Sequence, residues 1–136
     1  MPDPIPDPRS PNSRPRNWSA KFRDAFRGLW LAVRSERSFS VHLPMAAAVI
    51  VLAAVMRVSL VQWCLLGVCI TLVLAAETFN TALERLAREI DGESNPEIAA
   101  ALDMASGAVL VTAIGAAGIG AAIFLYRLGV LAGWWT

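Results

Sequence analysis

Glu77, Asn80 and Glu84 stand three and four residues apart in the stretch Glu-Thr-Phe-Asn-Thr-Ala-Leu-Glu. On a helix, ~100° per residue places all three within about 60° on one face. The stretch follows residues 58–76, nineteen positions without a charged side chain. The polar stripe therefore falls where a membrane-length helix leaves the hydrocarbon. A charge at the bilayer centre costs roughly 2.5–3.5 kcal/mol on insertion scales, so ionisable groups this close to a span are expected to have work to do. Asp103 arrives on the next apolar segment, and Glu36, just before the first one, can reach the same level. Carboxylates converging at one membrane surface suit magnesium, which takes one or two of them and completes its octahedron with phosphates and water. A deeper carboxylate could accept the proton of a hydroxyl. Asn80, one turn from Glu77, could orient that carboxylate or the hydroxyl itself. Metal, positioning and base are the parts of phosphoryl transfer to an alcohol, here a lipid alcohol reached laterally. The same residue types also suit proton or cation transport, although no polar line crosses the later apolar segments.

The rest of the composition narrows the field. A chain of 136 residues fits one domain. At 56% hydrophobic residues and a mean hydropathy of +0.51, it is too apolar for an ordinary soluble domain. Eight of the twelve basic residues precede position 38, and seven of the eleven acidic residues follow position 76, an asymmetry expected of an oriented membrane protein. Lys21 is the only lysine, which excludes a Walker-type phosphate loop. Cys64 and Cys69 have neither redox nor zinc spacing. With a single histidine, His42, no Ser-His-Asp or Cys-His set suggests itself, and His42 reads as an interface residue rather than a ligand. No nucleic-acid partner is expected.

The elements that must position these groups follow from periodicity. Residues 1–16, dense in proline and arginine, predict a disordered tail. Over 17–37, Trp18, Phe22, Ala25, Phe26, Leu29, Trp30 and Val33 recur at helical spacing against Lys21, Arg23, Arg27, Arg34 and Arg37. That pattern predicts an amphipathic helix lying in the membrane interface. Spans are expected at about 40–57, at 58–79 continuing as helix to 90, and at 97–126, with tight turns at 57–59 and 91–96. Glycine and alanine over 107–122 predict a close helix-packing face. The five basic residues between positions 21 and 37 predict a cytoplasmic N-terminus and an outside C-terminus, which puts 77–103 on the ATP side. The fold class is thus all-α, with three transmembrane helices and a surface helix.

These motifs resemble the small bacterial integral-membrane lipid kinases, diacylglycerol kinase and undecaprenol kinase. The resemblance covers about 22–124. Glu77-x-x-Asn80-Thr-Ala-Leu-Glu84 carries most of it, with Phe22-x-x-Ala25-x-x-Gly28-Leu29, Glu36-x-x-Phe39-x-x-His42 and the segment from Asp103 to Leu110 in support. It implies an integral-membrane kinase domain over 17–136, in the bacterial cytoplasmic membrane, assembled as a homotrimer with active sites between subunits. It implies transfer of the γ-phosphoryl group of ATP to diacylglycerol, giving phosphatidate; undecaprenol as acceptor and a degenerate, non-catalytic homologue are the alternatives. By residue, it implies Glu77 as general base at the lipid hydroxyl and Glu36 and Glu84 as holders of the magnesium of MgATP. Asn80 and Asp103 would shape the nucleotide site, with Glu93, Ser94 and Asn95 near it. Two positions depart from the family. Leu102 stands where a lysine is common, and Arg88 where an aspartate is. A cation moved from the third span to the second, to Arg88 or Arg85, would account for both.

Overall fold

The computed structural model describes residues 17–35, 39–90 and 95–135. The tail at 1–16 and the site candidates Glu36, Glu93 and Ser94 lie outside the described residues. Four helices follow in order, α1 (Trp18–Ser35), α2 (Phe39–Val55), α3 (Leu60–Glu89) and α4 (Pro96–Leu131), and no strand occurs among the described residues. α3 and α4 are each long and apolar enough to cross a membrane. α2 is a third candidate; its 17 residues rise ~25 Å, just short of a ~30 Å hydrocarbon core.

α2 and α3 are joined by a tight turn, as expected. The Val58 N–H donates to the Ala53 carbonyl and the Arg57 N–H to the Ala54 carbonyl, both at 3.2 Å. This paired closure of a helix C-terminus needs a left-handed residue, normally glycine. Here Arg57 takes it, at φ 49°. Ser59 then caps α3: its hydroxyl accepts from the Gln62 N–H, and the Gln62 side chain accepts from the Ser59 N–H. Asn95 caps α4 through Glu97, with Pro96 in the first turn.

α4 runs five residues past its expected end at 126. Charge at Arg127 does not stop the helix, because the side chain turns inward. Its Nε and Nη2 donate to the Met56 carbonyl at 3.2 and 2.8 Å, tying α4 to the C-terminus of α2. The helix stops instead where Gly133 adopts φ +74°. Gly129 lets the Trp135 indole fold back over the last turn; a Cβ there would collide with the ring.

α3 packs chiefly against α4, and α1 touches both α2 and α3. The buried residues of α3 are Leu66, Cys69, Val73, Glu77, Asn80, Thr81 and Ala87; from Leu66 to Glu77, and from Glu77 to Asn80 and to Thr81, the steps are three or four, the spacing of one helix face. Its lower part joins Ala53, Val58 and Ile123 in an apolar cluster, with Trp63 and Phe124 against it. Its upper part is polar.

Candidate functional site

The packing stripe of α3 changes chemistry at Glu77, whose carboxylate lies ~16 Å along the helix from Leu66. Glu77 is 3% exposed, Thr81 3% and Asn80 8%. The face that the sequence marks as polar is therefore also the face that the bundle buries. Burying such groups is costly unless each is partnered. Among the described residues no buried side-chain nitrogen or oxygen lacks a hydrogen-bond partner.

Two partner sets divide the stripe. His42, on the first turn of α2, places Nδ1 3.3 Å from Glu77 Oε1. Farther along α3, Asn80 Nδ2 donates to Glu84 Oε1 at 2.7 Å. Asn80 Oδ1 accepts from Ser106 Oγ of α4 at 3.4 Å. A carboxylate has no donor of its own, so the amide must present its NH₂ to Glu84 and its oxygen to Ser106. Asn80 thus orients Glu84, not Glu77 as its one-turn spacing suggested. Glu84 remains half-exposed, a negatively charged oxygen donor pinned at one atom with the other available.

One expectation needs correction at this scale, and the other candidates take definite places. His42 is no interface bystander, since α2 packs it onto the carboxylate at the centre of the stripe. Glu77, Glu84 and Asp103 build no three-carboxylate cage: no group of three His, Cys, Asp or Glu side chains able to hold a metal occurs among the described residues. Asp103 is exposed, one turn before Ser106. Asn95 spends its side-chain oxygen on the α4 cap. Arg85 and Arg88 are exposed near the end of α3, and Leu102 is half-buried on α4. Ser106 and His42 are the two participants that sequence reasoning passed over. Each had a signal, Ser106 lying one helical turn from Asp103 and His42 one turn from Phe39, but only packing connects those turns to α3.

Below His42, a groove of about 410 Å³ runs between α2, α3 and α4. Val41, Met45, Val73, Ala116, Gly120 and Phe124 are among its walls. Its depth ends against the apolar cluster, and its upper rim carries the imidazole. An apolar slot with one polar end fits an amphiphile whose head must meet the polar stripe.

Comparisons with known proteins show which family the chain resembles. The family model for prokaryotic diacylglycerol kinase matches residues 23–124, a stretch that holds every polar group just described. Undecaprenol kinase of Bacillus subtilis (strain 168) is 36% identical over 107 residues, 79% of this chain and 87% of that protein. Diacylglycerol kinase of Synechocystis is 34% identical over 110 residues, 80% of this chain but 63% of that protein. No solved structure matches significantly. A membrane-capable helical bundle with a buried polar stripe, matched over most of its length by one family model, belongs to the prokaryotic diacylglycerol kinase family, a family of membrane lipid kinases.

Proposed function

We propose that the protein transfers the γ-phosphoryl group of ATP to the hydroxyl of diacylglycerol, giving phosphatidate. The observation that carries this reading is buried Glu77 paired with half-buried His42 at the head of an apolar groove. A lipid tail in the groove would bring a hydroxyl to a proton-accepting site, which a transport pathway would not require. The chemistry the residues supply is positioning and charge. The groove aligns the acceptor, and the Glu77–His42 pair takes its proton. Glu84, held by Asn80, faces the nucleotide side.

Magnesium fits this set as part of MgATP rather than in a protein cage. One pinned, half-exposed carboxylate at Glu84 supplies the one or two protein oxygens magnesium usually takes. Glu36 is proposed as the second. When bound, the ion offsets charge on the transferring phosphates. Asp103, Glu93, Ser94 and Asn95 are proposed around the nucleotide, with Arg88 or Arg85 supplying the cation that Leu102 does not.

The proposed setting is the bacterial cytoplasmic membrane, with the N-terminus inside and α1 in the interface. Trp18, Phe22, Phe26 and Trp30 are exposed, and Lys21 and Arg34 lie over the Trp18 and Trp30 rings at 4.8 and 5.7 Å. Aromatic rings with cations above them suit the headgroup level. A homotrimer is the proposed assembly. In this chain a Cβ at Gly107, Gly115 or Gly118 would meet nothing within 4 Å, so those glycines leave room for a neighbouring helix.

Undecaprenol is the second acceptor reading, supported by similarity to a protein named undecaprenol kinase over 87% of its length. The test is purified protein with MgATP and a panel of diacylglycerol and polyprenol acceptors, scored for phosphorylated lipid. Phosphatidate as the preferred product supports the first reading and a phosphorylated polyprenol the second. No product on any lipid would make the chain a degenerate homologue. Glu77→Gln should lower turnover roughly 10²–10⁴-fold while MgATP still binds; near-parental turnover would remove Glu77 from the reaction.

A further inference from the structure

α1 sorts its charges as well as its aromatic rings. At ~100° per residue, Trp18, Phe22, Phe26, Leu29 and Trp30 fall within about 120° on one face. Arg23, Arg27 and Arg34 fall within about 40° of one another on the flank beside Trp30, a ridge ~16 Å long. Lys21 stands on the other flank, beside Trp18. The one acid of the helix, Asp24, lies about 180° from the centre of the aromatic face. Burial follows the same division. Ala32 is buried and Asp24 half-buried, whereas the arginine ridge and the aromatic face are both exposed. Arg34 over the Trp30 ring and Lys21 over the Trp18 ring hold a cation at each border of that face. A helix lying with its rings at the acyl boundary therefore carries these cations on its flanks, at phosphate depth.

We propose that Arg23, Arg27 and Arg34 form a binding ridge for the phosphate groups of anionic phospholipids, so that α1 gathers such lipids beside the bundle. The inference rests on the interfacial placement of α1 and not on which lipid alcohol is phosphorylated. Charge complementarity selects the partner. The helix carries four basic residues against one acidic residue, and its acid is turned away from the ridge and the rings. A guanidinium keeps its charge at any physiological pH and meets phosphate oxygens with paired N–H donors. A zwitterionic headgroup brings its own cation to that place, whereas an anionic one leaves its charge for the ridge. The bilayer, rather than a free nucleotide, is the occupant because the ridge runs beside five exposed apolar side chains. A membrane covers those side chains together with the arginines; a triphosphate would leave them in water.

The test places full-length protein in nanodiscs of equal parts phosphatidylcholine and phosphatidylglycerol. Trp63→Phe, Trp134→Phe and Trp135→Phe leave Trp18 and Trp30 as the fluorescent reporters on α1. One lipid at a time is brominated near the headgroup end of its acyl chains, and quenching reads which lipid stands beside the helix. Brominated phosphatidylglycerol should quench about twofold or more above brominated phosphatidylcholine. The excess should vanish in Arg23→Gln/Arg27→Gln/Arg34→Gln and persist in Arg23→Lys/Arg27→Lys/Arg34→Lys. In the parent it should collapse at about 1 M salt, which tests the same charges without a substitution. Equal quenching by the two lipids in the parent would overturn the ridge and leave α1 in the interface. An excess unchanged in the glutamine variant would overturn it as well. Quenching by neither lipid would remove the interfacial placement and the ridge together. A glutamine variant that loses affinity for MgATP, with the lipid excess intact, would assign the arginines to the nucleotide and overturn the proposal.

Discussion

At the scale of single residues, function turns on how a few polar groups are held. Glu84 is fixed by an uncharged donor, Asn80, itself anchored to Ser106 across the helix interface. A carboxylate pinned this way loses little freedom on meeting a cation and keeps its negative charge for it. Glu84→Gln should therefore weaken activity mainly at limiting magnesium and recover in part at high magnesium or with manganese; an unchanged metal dependence would place the ion elsewhere. Arg88, in the last turn of α3, has a second role to distinguish, because a cation is favoured at any helix C-terminus. If it replaces the lysine absent at Leu102, Arg88→Ala should raise the KM for ATP about tenfold or more, the loss of a charge-assisted contact. Leu102→Lys in that background should then restore part of the loss, a non-additive pair in a double-mutant cycle. A silent Arg88→Ala would end the exchange idea.

At the scale of elements, the helix ends away from the polar stripe govern stability. Arg57 closes α2 in the left-handed region, where a residue with a Cβ is strained by roughly 1–2 kcal/mol. Arg57→Gly should stabilise the fold by about 1 kcal/mol, read as a higher unfolding midpoint in micelles. Arg127 does the opposite service at the same place. Its guanidinium satisfies the Met56 carbonyl that the end of α2 leaves without a helical donor, and it complements the negative end of that helix. Arg127→Leu should cost about 1.5–3 kcal/mol in the same measurement, with kcat little changed, because the contact lies at the end of the bundle opposite the His42–Glu77 pair. The apolar cluster of Ala53, Val58, Leu66 and Ile123 packs at that end, and Leu66 is shared between it and the groove.

At the scale of the whole molecule, one end of the bundle is apolar and tied by Arg127, and the other carries His42, Glu77, Asn80 and Glu84. A kinase drawing on cytoplasmic ATP must turn the second end inward. The basic residues beside α2 favour that orientation. With Cys64 and Cys69 replaced, a cysteine added after Trp135 should react with an impermeant thiol reagent in intact cells, and one at position 94 should not. The reverse pattern would overturn the orientation and, with it, the kinase reading. The open space beside Gly107, Gly115 and Gly118 belongs to this scale as well. Leucine at Gly115 should leave the isolated chain helical but shift it toward smaller assemblies in cross-linking, since a Cβ there meets nothing within its own chain and would fill the space a neighbouring helix needs.

The sequence by itself determined the helices, the turn at 57–59, the capped start at Pro96 and the polar stripe on α3. These are local matters of periodicity, proline placement and the water boundary, and each depends on residues within a turn or two of one another. Membership of a lipid-kinase family was legible for the same reason, in the spacing of Glu77, Asn80 and Glu84. Which group met which was decided only by tertiary structure. Asn80 has Glu77 and Glu84 within a turn on either side, and it is Ser106 of α4, fixing its oxygen, that turns its amide to Glu84. His42 and Glu77 are 35 positions apart in the chain. Only the antiparallel packing of α2 on α3 brings an imidazole onto a carboxylate. The length of α4 escaped prediction because Arg127 finds its acceptor on another helix, and a charge that is satisfied inside the bundle no longer marks the membrane surface.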